Sequence, residues 1–211
     1  MKALIAGATG LIGKELLQML LKDEYYNSVY VLVRKPMKLE HAKLKQFVVD
    51  FDDLASYPDA FAVDDVFCCL GTTMKKAGTK EAFRKVDYDY PLSIAKESLK
   101  AGAKQYLIVT AMGSNANSRI FYNKVKGEIE QELKKLSFES LLIFRPSLLL
   151  GDRNEKRVGE DIGKVLMKLI PYIGPLKKYK PILGKQVANA MHKQAKQSNN
   201  GVQVFESGSL Q

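Results

Sequence analysis

Hydrophobic positions fall into short apolar runs of strand length, and amphipathic stretches of helical length separate them. The runs at 2–6, 28–33, 45–49, 65–70, 105–109 and 140–144 are predicted strands, and 202–205 is a candidate last edge strand. One predicted helix follows the first run, and four more cover 80–100, 118–136, 159–170 and 185–197. Pro91 should kink or interrupt the helix at 80–100. This alternation predicts an α/β fold, a doubly wound parallel sheet of the Rossmann type in a single domain.

The first strand runs directly into the sequence GATGLIG. A sharp turn from strand to helix requires a residue that is free to adopt positive φ, which Gly7 supplies. Gly10 lets a pyrophosphate approach the backbone, and Gly13 lets the helix lie close to the strand. The unpaired N–H groups of the helix then face an anion. The predicted phosphate site comprises Gly7, Thr9, Gly10, Leu11, Ile12 and Gly13. The alternative is an ordinary strand-to-helix turn that contains three glycines.

The end of the second strand distinguishes between the two nicotinamide cofactors. An acidic residue there binds the ribose hydroxyls of NAD, whereas a basic one accommodates the 2′-phosphate of NADP. Here the strand is followed by Arg34 and Lys35, which favours NADP(H) over NAD(H). Two solvated surface cations are the alternative interpretation.

Two further strand ends are predicted to border the cofactor. Asp50 and Phe51 follow the third strand, where they are placed to border an adenine ring. Leu70 ends the fourth strand, and Gly71, Thr72 and Thr73 form a second glycine turn after it, so that Leu70 and Gly71 lie beside the same crevice. A plain turn is the alternative for these glycine-turn residues.

Candidate catalytic residues follow the fifth strand. Tyr122 and Lys126 are four residues apart on a predicted helix, so both project from one face. An ammonium near a phenol favours the phenolate, and such a tyrosine can exchange a proton with a carbonyl or alcohol oxygen. Thr110, at the end of the strand, either donates a hydrogen bond to the same reacting oxygen or caps the strand.

Composition narrows the functional classes. The 211 residues, 46% of them hydrophobic, suit one domain, and the net charge of +10 is spread over lysines that alternate with glutamates, as in KVKGEIEQELKK. We therefore expect a solvated surface and no nucleic-acid partner. Cys68 and Cys69 have no partner at metal-ligand spacing, which predicts reduced strand residues and no metal site. The sequence contains no predicted membrane span or cleaved leader, so we expect a soluble, cytoplasmic protein.

Five motifs together resemble the short-chain dehydrogenase/reductase superfamily, and more narrowly its atypical branch that includes the Tat-interacting-protein oxidoreductase. They are GATGLIG, CLGTT, VTAMGS, FYNKVKGEIE and FRPSLLLGDR. The resemblance implies that Tyr122 is the acid/base, that Lys126 holds the nicotinamide ribose, and that Thr110 replaces the usual serine. It also implies that Pro146 and Leu148 border the nicotinamide. The superfamily's helix asparagine corresponds here to Asp87.

Two functions are consistent with these residues. The first is an NADP(H)-dependent oxidoreductase that acts on a small carbonyl or alcohol, with a substrate-side cover formed by residues of about 151–184. The second is an NADP(H)-binding regulatory or scaffold protein that a protein partner recognises. The intact set of Thr110, Tyr122 and Lys126 favours the enzyme, whereas the loss of the asparagine favours the binder.

Overall fold

The structure, a computed structural model, describes residues 1–150 and 179–211. Seven parallel strands form one sheet in the order β3-β2-β1-β4-β5-β6-β9. A separate pair is formed by β7 and β8. The strands are β1 (Lys2–Ala6), β2 (Ser28–Val33), β3 (Leu44–Val48), β4 (Asp65–Cys68), β5 (Gln105–Val109), β6 (Ser140–Arg145), β7 (Leu149–Leu150), β8 (Ile182–Leu183) and β9 (Gly201–Glu206).

Helices cover both faces of the sheet, as a doubly wound fold requires. They are α1 (Leu11–Lys22), α2 (Met74–Ala77), α3 (Lys80–Arg84), α4 (Tyr90–Lys100), α5 (Phe121–Lys134) and α6 (Gly184–Ala195), with a π-helical turn at Lys85–Asp89. One apolar cluster joins α1 and α6 to the sheet, and Leu16 and Val187 belong to it. The other cluster joins α4 and α5 to the opposite face through residues that include Ile94 and Ile129. The predicted α/β fold is confirmed.

Element bounds agree with the sequence predictions except at a few ends. The π-helical turn interrupts the predicted helix 80–100 just before Pro91, as expected. The helix predicted from residue 118 begins at Phe121. The preceding residues form turns instead, because the side chains of Asn115 and Ser118 accept backbone N–H groups at 2.9 and 3.1 Å. The predicted helix at 159–170 lies outside the described residues.

The order of the strands locates the crevice in which this type of fold binds ligands. From β1 the chain proceeds to β2 and β3 on one side, and it then returns to form β4 on the other side of β1. In open parallel sheets, ligands bind outside the carboxyl ends of the strands at such a reversal. The segments after Ala6 and Cys68 therefore border the crevice. In the part of the chain that the structure describes, no helix is long and apolar enough to cross a membrane.

Candidate cofactor and catalytic site

The glycine loop after β1 is packed against neighbouring backbone. Gly7 has φ +86°, and a Cβ on it would lie 2.7 Å from the carbonyl carbon and oxygen of Cys69. A Cβ on Gly13 would lie 2.2 Å from the carbonyl oxygen of Gly7. Both glycines are therefore required by the close approach of the loop to α1 and to the end of β4. This geometry agrees with the sequence argument for Gly7 and Gly13.

The N-terminus of α1 is open to an anion. Gly10 is exposed and caps the helix without a side-chain hydrogen bond to its first N–H groups. A Cβ on Gly10 would meet only the carbonyl oxygen of Gly7, at 3.3 Å. Thr9 is exposed beside it, whereas Ile12 packs in the core, so Ile12 can contribute only its backbone. The loop fits a phosphate group, because among the described residues no side chain beyond its two chain neighbours lies within 4 Å of a Cβ placed on Gly10, beside the backbone donors.

The loop after β2 presents two cations to solvent. Arg34 and Lys35 are exposed, and neither has an ion pair or hydrogen bond with a residue inside the described ranges. Gln46 on β3 holds the following segment: its Oε1 accepts the N–H of Met37 at 2.7 Å, and its Nε2 donates to the Met37 and Leu39 carbonyl groups. The side chain of Gln46 thus fixes the loop that carries both cations, a role that the sequence analysis missed.

The two residues predicted to border adenine have different environments. Asp50 is exposed, and its carboxylate accepts the backbone N–H of Asp52 at 2.9 Å. The ring of Phe51 is only 8% exposed and lies 5.3 Å from the ring of Tyr90, centroid to centroid. Phe51 therefore packs against Tyr90 in the interior, while Asp50 lies at the surface.

A buried ion pair lies beside the loop after β4. Nζ of Lys126 on α5 lies 2.8 Å from Oδ1 of Asp87 in the π-helical turn, and the two side chains are 5% and 0% exposed. The other oxygen of Asp87 accepts the backbone N–H of Thr72 at 2.8 Å. A Cβ on Gly71 would lie 3.5 Å from Asp87 Oδ1 and 3.8 Å from Lys126 Nζ. The pair therefore lies directly behind Gly71, and Leu70 before it is half-buried.

Lys126 remains charged although it is buried. Burial alone would lower the pKa of its ammonium, but the negative charge of Asp87 and the interaction with Tyr122 raise that pKa above its ordinary value. Tyr122 is half-buried one turn earlier on α5, and its ring lies 5.5 Å from that of Phe83. The structure thus brings together Tyr122, Lys126 and Gly71.

Thr110 has a different partner from the predicted one. Its hydroxyl, which is buried, donates to Oε1 of Glu130 at 2.7 Å, so in this arrangement its proton is not available to a substrate oxygen. Glu130 also forms two bonds with Arg145, from Nε at 3.0 Å and from Nη2 at 2.5 Å. Arg145 in turn pairs with Glu206 on β9. Thr110 is therefore tied to a network between α5, β6 and β9.

Glu130 was not singled out from the sequence, although a signal existed. It follows Lys126 by one helical turn and Tyr122 by two, so the three residues share a face of α5. Its charged partner on β6 could not be inferred from that spacing.

The remaining predicted residues lie after β6. Pro146 is buried, and its carbonyl accepts the N–H of Met112 at 2.9 Å, which joins the loops after β5 and β6. Leu148 is half-buried, and its carbonyl accepts the N–H of Ile182. Most of the expected cover at 151–184 lies outside the described residues. Within residues 1–150 and 179–211, no cluster of three or more His, Cys, Asp or Glu side chains could hold a metal ion.

The chain is similar to two protein-family models and to several known proteins. A model described as HIM1 matches residues 32–179, and one described as male sterility protein matches residues 5–55. HTATIP2 of Rattus norvegicus is 38% identical over 171 residues, which cover 79% of this chain and 70% of that protein. FMP52 of Eremothecium gossypii is 38% identical, with 81% and 77% covered, and that of Candida albicans is 33% identical, with 79% and 75% covered. These matches confirm the predicted resemblance.

Solved structures share the fold at low sequence identity. The Bordetella bronchiseptica enzyme WbmH in complex with NAD⁺ has a TM-score of 0.72 at 15% identity, with 98% of this chain and 75% of that chain covered. Human epimerase family protein SDR39U1 with NADPH has a TM-score of 0.67 at 18% identity, with 98% and 74% covered. Their likeness shows the fold.

The comparisons contradict one prediction. The FMP52 proteins of three yeasts, Eremothecium gossypii, Candida albicans and Debaryomyces hansenii, are named mitochondrial, so the predicted cytoplasmic location is wrong. That prediction rested on the absence of a predicted leader or membrane span and on the interpretation of Cys68 and Cys69 as reduced residues. Cys68 and Cys69 are indeed free, and burial raises the pKa of both thiols. Buried reduced thiols are a property of the fold's interior, however, and do not distinguish one reducing compartment from another.

Proposed function

We propose that this chain, which belongs to the HIM1 family and is a relative of HTATIP2 and the FMP52 proteins, is an NADP(H)-dependent oxidoreductase. Its substrate would be a small carbonyl compound or alcohol. The observation that carries the proposal is the position of Tyr122 and Lys126: a phenol and a buried, charged ammonium share one face of α5 beside Gly71, at the reversal point of the sheet.

The crevice supplies groups for each part of a dinucleotide. The backbone around Gly10 would hold the pyrophosphate, and Arg34 with Lys35 would hold a 2′-phosphate. Asp50 and Phe51 would border the adenine. The fold is shared with proteins whose structures contain NAD⁺ or NADPH, which supports a nicotinamide cofactor. Pro146 and Leu148 would border the nicotinamide ring, as the family resemblance implies.

The side chains on α5 would divide the remaining tasks. The cofactor supplies hydride chemistry at its nicotinamide ring. Tyr122 would give a proton to the carbonyl oxygen during reduction or take one from the alcohol during oxidation. Lys126 would donate hydrogen bonds to the ribose hydroxyls, since an ammonium has three donors and Asp87 occupies one side of it. Residues of about 151–184 would cover the substrate.

A screen with a matched pair of proteins tests this function. NADPH oxidation is followed by absorbance with a panel of small aldehydes and ketones, using the wild-type chain and Tyr122→Phe. The variant keeps the ring that packs on Phe83 but lacks the transferable proton. We expect NADPH affinity to survive and turnover to fall by about a hundredfold or more. Equal turnover by both proteins on an active substrate would refute the role of Tyr122.

One observation favours a second candidate, a cofactor-binding regulatory protein. The hydroxyl of Thr110 donates to Glu130, so a substrate oxygen would gain this donor only if that bond opened. A protein that only binds NADP(H) has no need of the donor. NADPH binding without turnover across the carbonyl panel would favour this candidate. A protein partner would then recognise the cofactor-bound form of the chain.

A further inference from the structure

Asp87 and Lys126 form a contact that the proposed chemistry does not by itself require. They come from different elements, the π-helical turn and α5, and their side chains meet at 2.8 Å with 0% and 5% of their surface exposed. Two charges that are removed from water to this extent cost free energy unless they compensate one another. Asp87 is therefore the main support for the charged form of Lys126.

The backbone fixes the carboxylate of Asp87 in place. One of its oxygens accepts the N–H of Thr72 at 2.8 Å, which ties it to the loop after β4. The π-helical turn supplies the residue, and such turns are frequent at functional sites because they redirect a side chain from the regular helical path. The ammonium is held between this carboxylate and the space next to Gly71.

Among the described residues, three titratable groups influence the pKa of Lys126. They are Asp87 in the π-helical turn, Tyr122 on the same helix and Cys68 on β4, and burial opposes the charge. With Asp87 present, the pKa of Lys126 is raised above 10.5. A raised pKa means that the ammonium persists through neutral pH and is lost only above its usual range. Without the carboxylate, burial would act with little opposition and would lower that pKa.

We infer that Asp87 is a positioning residue of the cofactor site, which keeps Lys126 charged and holds its Nζ beside Gly71. The inference rests on the proposed function, because it assigns that ammonium to the ribose hydroxyls of NADP(H). Asp87 would itself touch neither substrate nor cofactor. Asp87 stands where the superfamily has an asparagine. The site would then be organised differently, because a carboxylate that pairs directly with Lys126 replaces a neutral amide.

The first test follows the charge on Lys126 without any cofactor. Lysine side chains are labelled with ¹³C at Cε, the Lys126 signal is identified by its loss in Lys126→Met, and its NMR shift is titrated between pH 6 and 11. We expect no titration below pH 10 in the wild-type chain. In Asp87→Asn, the midpoint should fall by at least about two pH units. Asp87→Glu should restore a high midpoint, because it returns the charge.

A matched control removes a buried carboxylate at the opposite, amino-terminal end of the strands. Asp65, at the start of β4, is 3% exposed and accepts hydrogen bonds from Tyr26 at 2.7 Å and Gln105 at 3.1 Å. Asp65→Asn should leave the Lys126 titration unchanged. A wild-type midpoint below about pH 9, or an unchanged midpoint in Asp87→Asn, would overturn the inference. A low wild-type midpoint overturns the inference even if Asp87→Asn does not fold.

The second test measures NADPH affinity by calorimetry at pH 7 and pH 9.5. Wild-type affinity should change little, whereas Asp87→Asn should lose about tenfold or more at the higher pH, because the ammonium loses its proton. A double variant, Asp87→Asn with Lys126→Arg, should show no such loss, since a guanidinium stays charged. A pH-independent affinity for Asp87→Asn would contradict the inference. Failure of the wild-type chain to bind NADPH would instead refute the proposed function, and the NMR titration would still decide the state of Lys126.

Discussion

Cofactor preference is the most direct consequence of the loop after β2. Arg34 and Lys35 are exposed there, with no partner among the described residues that a phosphate would have to displace. Replacing Arg34 by Ala removes a planar group with several donors that can bind a phosphate in bidentate fashion. The fold and the loop should survive, because the side chain of Gln46 holds the following segment through hydrogen bonds to the backbone of Met37 and Leu39.

The expected size of the preference for NADPH over NADH follows from the exposure of Arg34 and Lys35 to solvent. A hydrogen bond to a charged group contributes about 1.5–3 kcal/mol, and solvent screening at an exposed site favours the lower value. One such contact corresponds to about tenfold in affinity, and two cations to roughly a hundredfold. We therefore expect the wild-type chain to bind NADPH well over tenfold more tightly than NADH. Arg34→Ala should lower that preference by about tenfold without changing NADH affinity.

Calorimetry with both cofactors measures this preference. Lys38→Ala is the matched control, because it removes an exposed cation from the same loop at a position farther from the end of β2. It should leave the NADPH to NADH ratio unchanged. The ratio should also shrink between low and high salt, since exposed charges are screened. Equal affinity of the wild-type chain for NADPH and NADH would refute the assignment of Arg34 and Lys35 to a 2′-phosphate.

Three substitutions test the glycine loop and the buried ion pair. Gly10→Val should abolish NADPH binding with a smaller loss of stability, because Gly10 is exposed and its Cβ would lie 3.3 Å from the Gly7 carbonyl oxygen. Gly13→Ala should lower the free energy of unfolding by about 1–3 kcal/mol, since its Cβ would lie only 2.2 Å from the same oxygen. Calorimetry and urea unfolding separate the two effects, and unchanged NADPH affinity in Gly10→Val would exclude the loop as the phosphate site. Lys126→Met leaves the carboxylate of Asp87 buried without a counter-ion and should cost about 3–5 kcal/mol near pH 8. Urea unfolding measures this loss, and a loss well below that range would mean that the ion pair contributes little to stability.

The sheet was predictable because its signal is local. A strand buried on both faces is an almost continuous apolar run, and this is what marks β1, β2 and β5 in the sequence. The glycine loop was predictable for a similar reason, since Gly7 and Gly13 meet within a few residues of one another. The face shared by Tyr122 and Lys126 follows from helical spacing alone.

The partners of the site residues were not predictable, because they depend on contacts between distant segments. Nothing in the spacing of Asp87 and Lys126 indicates that a π-helical turn directs the carboxylate towards α5. The contact of Thr110 with Glu130 likewise depends on how closely α5 lies against the end of β5. The sequence supplies candidates for a site, and tertiary packing decides which of their polar atoms remain available.

The available polar atoms bear on whether the site turns over a substrate. The charged ammonium of Lys126 is paired with the carboxylate of Asp87, and the hydroxyl of Thr110 donates its proton to Glu130. The hydroxyl of Tyr122 differs from both, since it forms no hydrogen bond with any residue in the described ranges. Glu130 would keep its two bonds to Arg145 if Thr110 turned away, so a bound carbonyl oxygen could recruit the threonine at the expense of a single hydrogen bond. A hydrogen bond to a charged group contributes about 1.5–3 kcal/mol, which an oxygen that gains negative charge during reduction can offset. Under the proposed oxidoreductase function, Tyr122 and Lys126 would therefore act from their present positions, and Thr110 would add to catalysis only as charge develops on the substrate oxygen.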